Sequence, residues 1–177
     1  SVEELVRRIA EKLRKVLDEI ERLVDELRKE NEEVVRDIER LVEDNEREVR
    51  DVLRKLEKDG APRSLLKTLE ESSREVRKRI KKLVEDSRRS VKEVEERIRK
   101  LKEELKRVLE KIKKLAEDGD GSEDLVRDAE RVLKRVTDEV RRVVKENKDV
   151  VRKVREEVER VSEENKRVLE KVTRDTK

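Results

Sequence analysis

The chain of 177 residues contains no cysteine, histidine, methionine or aromatic residue, and it has only three glycines and one proline. Without cysteine and histidine it has no disulfide bond, no thiolate or imidazole for nucleophilic catalysis, and no zinc site of the usual kind. Without aromatic side chains it has no aromatic ring on which nucleic-acid bases could stack. We therefore expect a protein that is not an enzyme and that has no cofactor and no metal.

Long hydrophobic runs are also missing. The uninterrupted apolar stretches are pairs such as Val34 and Val35, whereas a membrane-spanning helix needs about 20 consecutive apolar residues and a signal peptide about 7–15. The sequence therefore predicts a soluble chain with no membrane span and no targeting signal.

Charged residues make up 57% of the chain, and 52 basic residues nearly balance 49 acidic ones. Disordered chains combine high net charge with an absence of hydrophobic periodicity, so the near-balance leaves periodicity to decide. Basic runs at 77–82 and 106–114 suggest, as a remote alternative, a surface for nucleic acid or anionic lipid. Because acidic residues are interspersed throughout, we interpret these runs as solvated helix faces and predict no nucleic-acid or membrane partner.

The glycines and the proline fall in two short stretches, 58–64 and 117–124. They divide the chain into three predicted helices, at about 2–58, 62–118 and 122–175, within a single domain that covers residues 1–177. Short connections make neighbouring helices antiparallel. The expected end signals are left-handed glycines after the first two helices, a proline in the first turn of the second, and N-terminal caps on the first and third: Gly60, Gly119, Pro62, Ser1 with Glu4, and Ser122.

Apolar residues recur every 18 positions in all three segments, for example at Val16, Val34 and Val52. Eighteen residues make five turns of 3.6 residues, so the apolar stripe stays on one face of a straight helix. The stripe covers an arc of about 120° on the first two helices and about 140° on the third, where it includes Val150 and Val168. The pattern predicts an all-α fold: an antiparallel three-helix bundle of long, nearly straight helices. A four-helix arrangement could use similar arcs.

The three segments differ in net charge. Residues 1–58 carry 15 basic and 19 acidic residues (net −4), residues 63–118 carry 20 and 13 (net +7), and residues 122–177 carry 17 and 15 (net +2). The middle helix should therefore attract its neighbours, although solvent screening keeps the effect small.

Nine uncharged polar residues occupy positions of the apolar stripe. In an antiparallel bundle, residues at one height on the first two helices have numbers that add up to about 121, and on the last two to about 240. This rule predicts two polar layers, each drawing on all three helices: Asn31, Ser87, Ser90 and Asn147 in the first, and Asn45, Ser72, Ser73, Ser162 and Asn165 in the second.

A polar layer of this kind has two interpretations. One is a pocket for a small ligand, a water molecule or an ion. The other is a buried hydrogen-bond network that fixes the register and the choice of neighbouring helix, as a single buried asparagine does in a coiled coil. We favour the second, because asparagine and serine are poor ligands for transition metals and no titratable residue joins either layer. No small-molecule substrate is expected.

Taken together, the core of valine, leucine and isoleucine, the Glu/Lys/Arg/Asp surface, the 18-residue repeat and the Asn/Ser layers resemble de novo designed single-chain helical bundles. The resemblance implies a very stable scaffold without a natural biochemical function, soluble in the cytoplasm of an expression host. On this basis the chain is expected to be a monomer without a partner. The alternative is a helical subunit or receptor that completes its core with a partner helix or with a second copy.

Overall fold

The computed structural model of the protein describes residues 2–118 and 123–175, which form three long α-helices and, within those ranges, no β-strand. Helix α1 spans Val2–Lys58, α2 spans Arg63–Glu117 and α3 spans Glu123–Asp175. The three helices pack against one another, which confirms the predicted all-α three-helix bundle. The helix limits differ from the predicted ones by no more than a single position. No helix in the described part of the chain is long and apolar enough to cross a membrane.

The connection between α1 and α2 is a Schellman motif followed by a proline. Gly60 has a φ of 77°, its N–H donates to the carbonyl of Glu57, and the Ala61 N–H donates to the carbonyl of Leu56. These two bonds satisfy carbonyls that the end of a helix leaves without partners. The predicted left-handed conformation of Gly60 is therefore confirmed.

Helix α2 begins one residue later than predicted, so that Pro62 precedes the helix and does not belong to its first turn. The carbonyl of Pro62 accepts hydrogen bonds from the N–H groups of Leu65 and Leu66, and α2 begins at the following residue, Arg63. Pro62 is thus the N-cap residue rather than a residue of the first turn, a position where its missing N–H is also harmless. The predicted signals at Ser1, Gly119 and Ser122 lie outside the described residues.

The chain divides into two compact units, each taking a segment from every helix. Unit 1 comprises Ser1–Lys29 and Ser90–Lys148, and unit 2 comprises Glu30–Arg89 and Asp149–Lys177. Unit 1 has one continuous apolar core, whose most buried members include Ile9, Leu27 and Leu105. Unit 2 has two core clusters, one built around Ile38, Ile80 and Val158 and the other around Leu56, Leu69 and Leu169.

Ion pairs between helices show which residues lie at the same height within each unit. The α1–α2 pairs have residue numbers that add up to 123–127, and the α2–α3 pairs to 236–239, close to the expected 121 and 240. The pairs are Arg28–Glu95, Glu21–Lys102, Glu46–Arg77 and Glu39–Arg88 for α1–α2, and Arg79–Glu157, Arg97–Glu139 and Glu104–Arg135 for α2–α3. In five of these seven pairs the basic residue comes from α2, in agreement with its excess of positive charge.

One edge of the predicted apolar stripe on α3 is not buried. Val150 and Val168 are 38% and 45% exposed. Their positions differ by one full repeat of the sequence pattern, and hence they share the same angular position on the helix. That position is the limit of the predicted arc. Val132, one repeat earlier, packs against the core of unit 1, so the buried face of α3 is narrower than the sequence pattern indicates only in unit 2.

Candidate functional site

Seven of the nine predicted polar residues are buried, and the other two, Ser72 and Ser90, are half-buried. The buried seven are Asn31, Asn45, Ser73, Ser87, Asn147, Ser162 and Asn165. All seven are neutral, and the other buried residues in the described part of the chain are apolar. The arrangement can therefore exchange hydrogen bonds but offers no acid, base or nucleophile of altered reactivity.

The first buried pair joins α1 to α2 within unit 2. The Ser87 hydroxyl donates to Asn31 Oδ1 at 2.8 Å, and Ser87 is fully buried while Asn31 is 8% exposed. Both residues take core positions of the repeating pattern, so their side chains point between the helices rather than to solvent. The bond satisfies a hydroxyl and a carbonyl oxygen that water cannot reach.

The second pair joins α2 to α3 within unit 1. Asn147 Nδ2 donates to Ser90 Oγ at 2.8 Å. Asn147 is only 1% exposed, whereas Ser90 is half-buried, so the bond runs from the core towards the surface. Among the described residues, Asn147 Oδ1 is a buried acceptor without a hydrogen-bond donor.

The predicted first layer thus divides between the two units. Asn31 and Ser87 form one pair in unit 2, and Ser90 and Asn147 form another in unit 1. Each of the four residues has a partner from this predicted group.

The third pair joins α1 to α3 within unit 2. Asn165 Nδ2 donates to Asn45 Oδ1 at 2.5 Å, and both residues are 5% exposed. The pair lies between the two core clusters of unit 2, since Val42 packs with the first cluster and Val49 belongs to the second. It is the central bond of the predicted second layer.

The serines of the second layer are placed differently from the amide pair. Ser162 is buried, and its hydroxyl has no partner among the described residues. Ser73 is 4% exposed and lines a groove between α1 and α2, beside Glu46 and Arg77. Ser72 is half-buried. Within the predicted five-residue layer, the hydrogen bond between Asn165 and Asn45 joins two helices.

Several surface groups that form ion pairs have shifted pKa values. A hydrogen bond from Arg99 holds the pKa of the Glu96 carboxyl below its usual value, and a hydrogen bond from Arg160 does the same for the pKa of Glu157. The hydrogen bond with Glu95 raises the pKa of the Arg28 guanidinium. These groups are ion-paired on exposed helix faces, so their shifts reflect charge pairing and not a catalytic environment.

The chain also has open grooves between neighbouring helices. A groove of about 420 Å³ between α1 and α2 in unit 2 has an apolar floor that includes Ile38, Val42 and Ile80. Its rim carries Glu39 and Arg88, which pair with each other. The described residues contain no cluster of three or more carboxylates that could hold a metal ion.

Two features of the site were not predicted from the sequence: the unpartnered Asn147 Oδ1 and the division of the first layer between the units. Residue spacing gives the height and the face of a side chain, but it does not give the rotamer that decides which atom meets which. A comparison of the chain with models of protein families, with curated proteins and with solved structures found no match.

Proposed function

We propose that this protein is a structural scaffold in which buried Asn/Ser pairs specify which helices pair and in which register. One observation carries the proposal: the three pairs cover the three possible helix–helix interfaces, one pair for each. Asn31–Ser87 links α1 with α2, Ser90–Asn147 links α2 with α3, and Asn45–Asn165 links α1 with α3.

The apolar stripe alone is a poor determinant of register. Because the same residue types recur every 18 positions, a shifted or exchanged arrangement buries similar apolar surface. A buried amide that loses its partner costs about 1–3 kcal/mol, so each incorrect interface carries a penalty that the apolar residues do not impose. The exposed ion pairs add little, since such pairs typically contribute about 0–1 kcal/mol each.

We further propose that the protein is a de novo designed monomer with no enzymatic activity and no natural substrate or partner. The 18-residue repeat, the restriction of the apolar core to aliphatic residues and the Schellman connection at Gly60 support this origin. These choices are mutually consistent at the levels of helix signals, core composition and polar placement, as they are in idealised designs.

The test is a variant in which the four asparagines are replaced together by valine: Asn31→Val, Asn45→Val, Asn147→Val and Asn165→Val. We expect it to stay helical by circular dichroism and to unfold no more easily than the parent. We also expect extra amide signals in NMR spectra and species heavier than the 21.2 kDa monomer by light scattering, because incorrect pairings are no longer penalised.

Thr137→Val is the matched control. The Thr137 hydroxyl bonds the carbonyl of Leu133 in its own helix, so its removal should change neither the signal count nor the mass. A quadruple variant with a single set of amide signals and the mass of one chain would contradict the proposal. A parent protein that is itself heavier than one chain would favour the alternative of a subunit completed by a second copy.

A further inference from the structure

Asn147 Oδ1 stands apart from the other buried polar atoms of the asparagines. Its residue is 1% exposed, its Nδ2 donates to Ser90, and its carbonyl oxygen has no donor among the described residues. Exchanging the amide oxygen and nitrogen does not remove the problem. The oxygen would then accept from the Ser90 hydroxyl, and the nitrogen would become the buried atom without a partner.

Ser162 Oγ, the other buried atom without a partner, has a local solution. A hydroxyl on a helix can rotate to donate to the carbonyl four residues earlier, and Thr137 and Thr173 do so at 2.8 Å. Ser162 has the carbonyl of Val158 at the same spacing. The oxygen of Asn147 has no such option, because it needs a donor and the N–H groups of its own helix are already bonded within the helix.

We propose that Asn147 and Ser90 form a binding site for one ordered water molecule. The water donates a hydrogen bond to Asn147 Oδ1 and accepts a second one from the Ser90 hydroxyl. Buried waters typically make two to four hydrogen bonds to groups that would otherwise be unsatisfied. The ligand is neutral, because an ion would lose its hydration for an amide and a hydroxyl that supply no opposite charge. The half-buried Ser90 gives solvent access from the α2–α3 surface. This inference does not depend on the proposed function.

The first measurement uses the unmodified protein. A water–protein nuclear Overhauser experiment should give a cross-peak between water and the Asn147 side-chain amide protons, with the sign that a bound rather than a diffusing water produces. The Asn165 amide is the internal reference. Its nitrogen donates to Asn45, and its oxygen, unlike that of Asn147, is not among the buried atoms that lack a partner. Absence of the cross-peak at Asn147 would overturn the proposal.

The second measurement counts long-lived waters by oxygen-17 magnetic relaxation dispersion. Asn147→Val should remove one such water from the count, whereas Asn165→Val, one sequence repeat further along the same helix, should leave the count unchanged. An equal count in the parent and in Asn147→Val would overturn the proposal. Should Asn147→Val lose its helical circular dichroism, the cross-peak in the unmodified protein decides the question.

Discussion

The hydrogen bond between Asn45 and Asn165 offers the clearest energetic test of the buried pairs. Both side chains are 5% exposed and lie between two apolar clusters, so neither can turn to solvent when its partner is removed. A buried polar group without a partner costs about 1–3 kcal/mol, more than the net gain of about 0.5–1.5 kcal/mol from an ordinary hydrogen bond. This difference predicts that replacing one asparagine of the pair destabilises the protein more than replacing both.

In a double-mutant cycle, Asn45→Val and Asn165→Val are made separately and together. Each single variant should lower the free energy of unfolding by about 1 kcal/mol, because the stranded amide outweighs the gain from burying a valine. The double variant strands no amide and should be at least as stable as the parent. The coupling energy, which cancels the valine contributions, should be about 1–3 kcal/mol.

Guanidinium unfolding followed by circular dichroism measures all four proteins, and the comparison is valid where the slope with denaturant is unchanged. Single variants as stable as the parent, or a double variant whose loss equals the sum of the two single losses, would refute the reasoning. The first result would mean that a stranded amide costs no more than a buried valine gains, and the second that the two amides are not energetically coupled.

Three further predictions concern the loop, the core and the surface. Gly60→Ala should cost about 1 kcal/mol in thermal unfolding, because φ is 77° although a Cβ meets no atom within 4 Å. Leu105→Ala, at a fully buried site, should cost about 2–5 kcal/mol, whereas Val168→Ala, at a 45% exposed one, should cost less than about 0.5 kcal/mol. Because ion pairing lowers the pKa values of Glu96 and Glu157, the contribution of their charged forms is present above the pKa of an unfolded carboxyl. It is lost as the pH falls through the lower folded values, so the denaturation midpoint should fall below about pH 4 and stay nearly flat above about pH 5.

A different outcome would contradict each of these three predictions. An unchanged melting temperature in Gly60→Ala would show that the left-handed conformation is not required. Equal losses in Leu105→Ala and Val168→Ala would contradict the described burial. A midpoint that changes as much between about pH 5 and pH 8 as between about pH 2 and pH 4 would require an ionisable group in the interior.

The helix boundaries and register were predictable from the sequence because strong local signals determine them. Gly60 can adopt the left-handed conformation that ends α1, and the short connection to Pro62 makes α2 antiparallel, after which the residue numbers give each height. The residue numbers thus place Asn31 and Ser87 at one level, and the two side chains are hydrogen-bonded. Because the remaining positions of the apolar stripe hold aliphatic residues, the few Asn and Ser residues within it are easy to recognise in the sequence.

The remaining features depend on side-chain geometry that spacing does not determine. Val150 belongs to the apolar stripe by period, but its exposure depends on how closely the helices approach at the edge of the arc. Ser73 shares a predicted layer with Asn45, yet it lines a groove between α1 and α2. The roles of the pairs in register and the single-domain organisation stay predictions.

The central claim is that the buried pairs decide which helices meet and at which height, and one distance tests it most directly. Glu19 on α1 and Arg141 on α3 are 3.0 Å apart in an exposed ion pair, and the chain has no cysteine of its own. Spin labels on Glu19→Cys and Arg141→Cys therefore report α1–α3 pairing alone, at the loss of a weak surface interaction.

Electron paramagnetic resonance should give one short, narrow distance distribution for this labelled pair in the parent protein. In the variant with all four asparagines replaced by valine, the account predicts a reduced short-distance population and additional longer distances. The same single short distance in both proteins would show that the apolar stripe and the loops alone specify the bundle, and would contradict the account.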